Sequence, residues 1–269
     1  MKINIAPSDV HELRQIPVKK NKVYINFIND LKYRKHQNIA VLCCPDYSFK
    51  FTRNGWAEYD HKAVGYGPGM LCLAYTTALM EIIQAAIKHN SSLNIYLFYG
   101  NNEADDKEIL DKIGLDKNEF IHRIMCNQIS GFQHYGNLID ELFGENAKYI
   151  NLKYFGMAET FYTEKNLNVA ENKLRSITQG ELNKVMIDRK PVLVSLYGRQ
   201  YLREPDFLLN KAKEQIFDRL VLGTYFDDQI TSGKSWYILS ISANILVPYF
   251  NFQNLNLVPI FNLGTATFR

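Results

Sequence analysis

The sequence predicts an α/β fold: a single Rossmann-like domain with a mostly parallel sheet and helices on both faces. Three observations predict it. Short apolar runs of strand length recur at Asn38–Cys44, Leu93–Tyr99, Lys148–Phe155, Pro191–Tyr197 and Ser235–Ser242. Stretches with helical periodicity separate these runs, and parallel strands need such crossovers. The chain's 269 residues, 46% hydrophobic and 22% charged, are ordinary for one globular α/β unit.

Taken in order, residues 1–22 are polar, contain Pro7 and Pro17, and read as an irregular lead-in. Val23–Tyr33 places Val23, Phe27 and Leu31 at helical spacing. The first strand, Asn38–Cys44, is closed by Pro45-Asp46, and residues 45–69 then read as a long polar and aromatic loop. Met70–His89 is the clearest helix, and Leu93–Tyr99 a second buried strand closed by Gly100. Asp105–Ile113, Lys117–Gln128 and Asn137–Phe143 read as three helices, the last stopped by Gly144. Lys148–Phe155 alternates like a strand, and Leu167–Asp188 like a helix pair interrupted at Gly180. Pro191–Tyr197 is the fourth strand, a helix runs from Glu204 to about Leu222, and Ser235–Ser242 is the fifth strand. The charge-free tail from Leu246 to Phe261 adds edge strands through Pro248 and Pro259.

Composition removes several classes. The net charge of +3 is a small excess of 31 basic over 28 acidic residues, and the pI of 8.5 lies below that of a typical nucleic-acid-binding domain. The basic clusters at residues 19–22 and 32–35 read as solvated surface, so nucleic acid is not the expected partner. Neither a signal peptide nor a membrane span is expected, because the start lacks an apolar core and Glu81 and Gln84 interrupt the most apolar helix. Cys43, Cys44, Cys72 and Cys126 show no metal-binding spacing, which fits a reduced, cytoplasmic protein.

In a parallel sheet, ligands bind outside the carboxyl ends of the strands. The strand-end loops are therefore the candidate sites. The first carries Lys50, Arg53, Asp60, His61 and Lys62. Its cations suit a phosphate or carboxylate, and His61 beside Asp60 suits general acid–base work. The run Gly65-Tyr66-Gly67-Pro68-Gly69 before a helix has the form of a cofactor-binding glycine loop, as in S-adenosylmethionine-dependent methyltransferases, with Glu103 as the acidic partner. It equally fits a glycine–proline turn. A thiolate at Cys43 or Cys44 would be a nucleophile; a small buried side chain is the competing reading. Tyr197, Arg199 and Arg203 form a second polar cluster, with Tyr197 as a proton-transfer candidate and the arginines as anion anchors or surface ion pairs. Asn101, Asn102, Glu103, Asp105 and Asp106 fit a sugar hydroxyl or a metal with water ligands, and equally a helix start rich in acids; no metal ligands are singled out.

One order of features resembles a known family. It runs from Asn38–Cys44, through Phe49-Lys50-Phe51-Thr52-Arg53-Asn54 and Lys62-Ala63-Val64-Gly65, into Met70–Ile87, Leu93–Tyr99, the acids at 103–106 and the helix from Lys117. Over residues 38–128 this resembles the amino-terminal half of the isonitrile (isocyanide) synthases. Those enzymes convert an amino acid's amine to an isonitrile with a phosphorylated pentulose. The resemblance implies an amino acid and a sugar phosphate as ligands, with Lys50, Arg53 and Lys62 contacting phosphate. Tyr99-Gly100-Asn101 stands where that family has Ser-Asp-Gly, and Ile238–Ser242 offers no match to its histidine-bearing strand. The cyclodipeptide synthases have a similar strand–helix–strand opening. Their serine nucleophile motif falls on Cys43-Cys44-Pro45-Asp46, which holds no serine.

The expectation from the sequence is a transferase-like protein: a group-transfer or condensation enzyme acting on a small anionic metabolite, its cofactor undefined. Two alternatives stand beside it. One is a non-catalytic protein that assembles, as a homo-oligomer, through its apolar C-terminal tail. The other is an S-adenosylmethionine-dependent methyltransferase.

Overall fold

A computed structural model describes residues 22–33, 36–43, 49–51, 57–59, 75–105, 107, 110–111, 114–187, 205–232, 236–240 and 256–259. The elements placed among them are α1 (Lys22–Asp30), β1 (His36–Cys43), β2 (Phe49–Phe51), β3 (Ala57–Tyr59), α2 (Thr76–Lys88), β4 (Ser92–Tyr99), α3 (Lys117–Phe143), β5 (Ile150–Gly156), α4 (Met157–Phe161), α5 (Glu164–Arg175), α6 (179–187), α7 (Pro205–Thr231), β6 (Trp236–Ser240) and β7 (Asn256–Pro259), and residues 107 and 110–111 are also helical. Short 3-10 turns cover Asn102–Asp105 and Gly144–Tyr149.

Five strands form one sheet in the order β5-β4-β1-β6-β7, and every pairing is parallel. From β1 the chain moves outward through β4 to β5, returns to the other side of β1 as β6, and ends at β7. This reversal beside β1 is the doubly wound arrangement, and the fold is Rossmann-like α/β.

The period-2 alternation of the strands divides the core in two. Ile39, Val41 and Cys43 of β1, Leu93, Ile95, Leu97 and Tyr99 of β4, and Tyr237 and Leu239 of β6 pack with α1, α2 and α3. Ala40 and Leu42, Phe98, Trp236 and Ile238 face the other way, against α4, α5, α6 and α7. Both faces are covered, as the sequence predicts for central strands that read as continuous apolar runs.

Several expectations shift. Residues 45–69 are not loop throughout, because β2 and β3 pair as an antiparallel hairpin with Lys50 opposite Glu58. The helices expected at Lys117–Gln128 and Asn137–Phe143 are one continuous helix, α3, with Gly131 buried within it. Tertiary packing outweighs the roughly 1 kcal/mol that each internal glycine costs a helix. The pair expected to break at Gly180 breaks at 176–178 instead. There the Thr178 hydroxyl accepts from Glu181 N and the Glu181 carboxylate accepts from Thr178 N and Oγ1, a capping box that leaves Gly180 inside the first turn. The strand-end segment Gly156–Glu164, expected from the sequence as a loop, contains all of α4 and reaches the first residue of α5, and α7 extends beyond Leu222 to Thr231. Residues 256–259 of the tail form an edge strand, with Pro259 at its end, where a missing N–H costs least. The strand expected at Pro191–Tyr197 and the tail segment at 246–252 lie outside the described residues.

Candidate functional site

The reversal beside β1 points to the carboxyl edge of the sheet, where two side-chain pairs follow one another along the chain leaving β5. β4 ends at Tyr99, and Gly100 N donates to Cys43 O, which ties the ends of β4 and β1 together. Two residues past β4, Asn101 reaches across to the chain leaving β5. Its Oδ1 accepts from Ala158 N at 2.7 Å, and its Nδ2 donates to both carboxylate oxygens of Glu159 at 2.9 Å. One asparagine thus caps the first turn of α4 and fixes an exposed carboxylate. Gly156 makes this possible. A Cβ there would lie 2.0 Å from Glu159 Oε2 and 2.8 Å from Asn101 Nδ2, so any larger residue displaces the carboxylate.

Tyr162 follows Glu159 by three positions, and its N–H bonds back to Ala158 O. Residues three apart on a helical turn are neighbours. The Tyr162 hydroxyl donates to Asp218 Oδ1 at 2.6 Å. Asp218 lies in the middle of α7, whose last turn leads into the amino end of β6. Phe226 and Tyr225 of α7 sit at the level of Phe98, near the end of β4, with ring centroids 6.3 Å away. Asp218 is seven residues earlier, or about 10 Å along the helix at 1.5 Å per residue. It therefore stands at the carboxyl edge, above the aromatic cluster.

The electrostatics around Asp218 are unusual for a helix residue. Burial pushes its carboxyl up to about 6, with Glu214 adding to the rise, while the Tyr162 hydrogen bond, Arg219 and Lys211 pull the other way. Arg219 is buried, and Lys211 pairs with Glu214 at 2.9 Å. A carboxyl whose proton is exchanged near neutrality, hydrogen-bonded to a tyrosine at the ligand edge, can act as a general acid or base. The fixed Glu159 carboxylate, three residues before Tyr162, offers a negative charge to a cationic group.

The other face contributes less to this edge. Tyr75 donates to Leu42 O at 3.0 Å, anchoring the start of α2 at the end of β1. Thr76 Oγ1 lies 3.4 Å from His134 Nε2, and burial holds that imidazole below its ordinary value. Cys43 is 1% exposed within the aliphatic core, so it is a small core side chain and not a nucleophile; Cys44 lies outside the described residues.

The residues singled out from the sequence fall mostly elsewhere. His61, Asp60, Tyr197, Arg53, Lys62, Arg199, Arg203, Gly65, Gly67 and Gly69 lie outside the described residues. Lys50 is placed by its backbone in β2, and Glu103 in the 3-10 turn after β4. The described residues that flank the segment 44–74, which carries seven of the undescribed candidates, are Cys43 at the end of β1 and Tyr75, which is tied to Leu42 O. β1 is followed by the hairpin and not directly by the glycine run. Asn101 was noted in the sequence, but for a sugar or metal, and among the described residues no group of three or more metal-ligating side chains exists. Glu159, Tyr162 and Asp218 were missed, because they come from two helices 56 residues apart and no local pattern joins them.

No protein-family model and no curated protein matches the sequence. Among solved structures the chain is similar to AlbC, a cyclodipeptide synthase from Streptomyces noursei, at a TM-score of 0.45 and 11% identity, covering 84% of this chain and 96% of that one. It is also similar to tyrosyl-tRNA synthetase complexed with L-tyrosine from Archaeoglobus fulgidus, at a TM-score of 0.43 and 8% identity, covering 91% of this chain and 58% of that one. Among the described residues, no helix is long and apolar enough to cross a membrane.

Proposed function

We propose that this chain is a group-transfer or condensation enzyme for a small metabolite bearing an amino-acid or phosphate group, with its reaction centre over the carboxyl edge of the sheet. The supporting observation is the Tyr162–Asp218 hydrogen bond, three residues along the chain from the Asn101-held Glu159. Asp218 takes and returns the proton of the attacking group. Its raised value keeps the protonated and ionised forms both populated near neutral pH. Tyr162 orients that carboxyl, and Glu159 holds a substrate amine. The cations Lys50, Arg53, Lys62, Arg199 and Arg203 supply the anion-binding half of the site, and His61, Asp60 and Tyr197 further proton transfer. The resemblance over residues 38–128 narrows the reading to chemistry like that of the isonitrile synthases, with an amino acid and a phosphorylated sugar as the two substrates.

Calorimetric titration of the purified protein with free amino acids and with phosphorylated pentoses tests this. An amino acid is expected to bind, Glu159→Gln to weaken that binding at least tenfold, and Asp218→Asn to keep binding while abolishing turnover followed by mass spectrometry. A protein that binds neither compound class, or variants that behave as the wild type does, would refute the reading.

A further inference from the structure

Away from the candidate site, α3 carries an apolar stripe that its own core does not use. Its buried residues Phe120, Ile124, Asn127, Gly131, Tyr135 and Ile139 recur at three- and four-residue spacing and face the sheet. A second stripe lies beside them at the same spacing: Met125, Ile129, Phe132 and Gly136. Met125 is 53% exposed and Ile129 45%. Phe132 makes an edge contact with Tyr154 of β5 at 5.3 Å between ring centroids, and Tyr154 is itself 41% exposed. The stripe therefore continues onto the outermost strand of the sheet, where β5 pairs with β4 alone among the described residues.

We propose that this surface binds a second copy of the same chain across a two-fold axis, with the two α3 helices antiparallel. Two features select that occupant. The first is shape. Pairing the helices antiparallel about a point between Ile129 and Phe132 brings Met125 of one copy over Gly136 of the other, and Ile129 over Phe132. A Cβ placed on Gly136 meets nothing within 4 Å, so the glycine leaves a hollow where a methionine from outside can seat. Such self-complementarity is what an isologous interface requires. The second feature is charge. The first half of α3 carries Lys117, His122 and Arg123 against Glu119. Its second half carries Asp140 and Glu141 and no lysine or arginine. Lys117 and Arg123 are paired within the chain, with Asp105 and Glu119, so the polar match across the axis is carried by His122 and Asp140. His122 and Asp140 are eighteen residues apart, about five full turns, so both border the same side of the stripe and meet across the axis. Alternating charges of both signs also fit neither an anionic membrane nor a nucleic acid.

The interface is independent of the proposed activity and lies at the opposite end of the sheet from the C-terminal strand. Light scattering coupled to size-exclusion chromatography, with sedimentation over a concentration series, reads it directly. The wild type is expected at twice the monomer mass. Ile129→Glu is expected to weaken association at least tenfold. Gly136→Leu is expected to do the same while leaving or raising the thermal midpoint, because leucine is the better helix former and the space around Gly136 is open. Asp140→Lys should weaken the dimer, and adding His122→Asp in the same chain should restore it by reversing the pair. A wild type that stays monomeric across the series would overturn the proposal. So would a dimer that survives both Ile129→Glu and Gly136→Leu, a result that moves the association to another surface such as the tail.

Discussion

The two faces of the sheet are built from the same strands, yet they differ in kind. The face under α1, α2 and α3 is largely aliphatic: Ile39, Val41, Ile82, Ile83, Leu93, Ile95 and Leu97 are fully buried there. The face under α4, α5, α6 and α7 is aromatic. Phe98 lies within 6.3 Å, centroid to centroid, of Tyr96, Phe155, Phe161, Tyr225 and Phe226. The aromatic face also carries, at its carboxyl end, the buried Arg219 and the displaced Asp218 carboxyl. Aliphatic packing makes a rigid support and tolerates few polar groups. The aromatic rings pack α4 and α7 on that face through Phe161, Tyr225 and Phe226. On the proposed reading, one face serves as scaffold and the other carries the candidate site.

Adjacent residues of β4 test that division most severely. Phe98→Ala is expected to cost about 3–5 kcal/mol and Leu97→Ala about 2–5 kcal/mol, read by denaturant unfolding. Only Phe98→Ala should also remove ligand binding, because Phe161, one residue before Tyr162, packs on Phe98. Equal loss of binding in both variants breaks the comparison.

Asp218→Asn sharpens it. The folded protein holds the Asp218 proton up to about 6 against an ordinary value of 3.8. The contribution of Asp218 to stability is therefore fully present below about pH 4 and is lost as pH rises through about 6, a change of up to about 3 kcal/mol. The asparagine variant should lose that pH dependence, unfold later than the wild type at pH 7, and be inactive. A variant less stable than the wild type at pH 7 contradicts the assignment.

Gly156→Ala is expected to cost about 1 kcal/mol or less while displacing the Glu159 carboxylate from Asn101, so substrate affinity should fall far more than the unfolding midpoint. The smallest effect belongs to the surface pair Lys165–Asp228, which joins α5 to α7. Lys165→Ala should change stability by no more than about 1 kcal/mol and leave binding untouched.

Much of the fold was legible in the chain. The runs from Asn38, Leu93 and Lys148 became neighbouring parallel strands, shifted at their ends by a residue or two; the first two, apolar on both sides, lie inside the sheet, and the alternating third forms its outer strand. The helix from Met70 starts later, at Thr76, and one long helix replaced two near Gly131, since local glycine costs do not register the packing that overrides them.

By itself, then, the sequence determined the class of fold and the strands that start near Asn38, Leu93, Lys148 and Ser235, because these follow from hydrophobic period and chain polarity. Only the tertiary structure decided which strand neighbours which, and that Asn101 meets Glu159 and Tyr162 meets Asp218. Their contacts join segments some 56 to 58 residues apart, and the raised Asp218 carboxyl comes from burial against partners that no local stretch of residues contains.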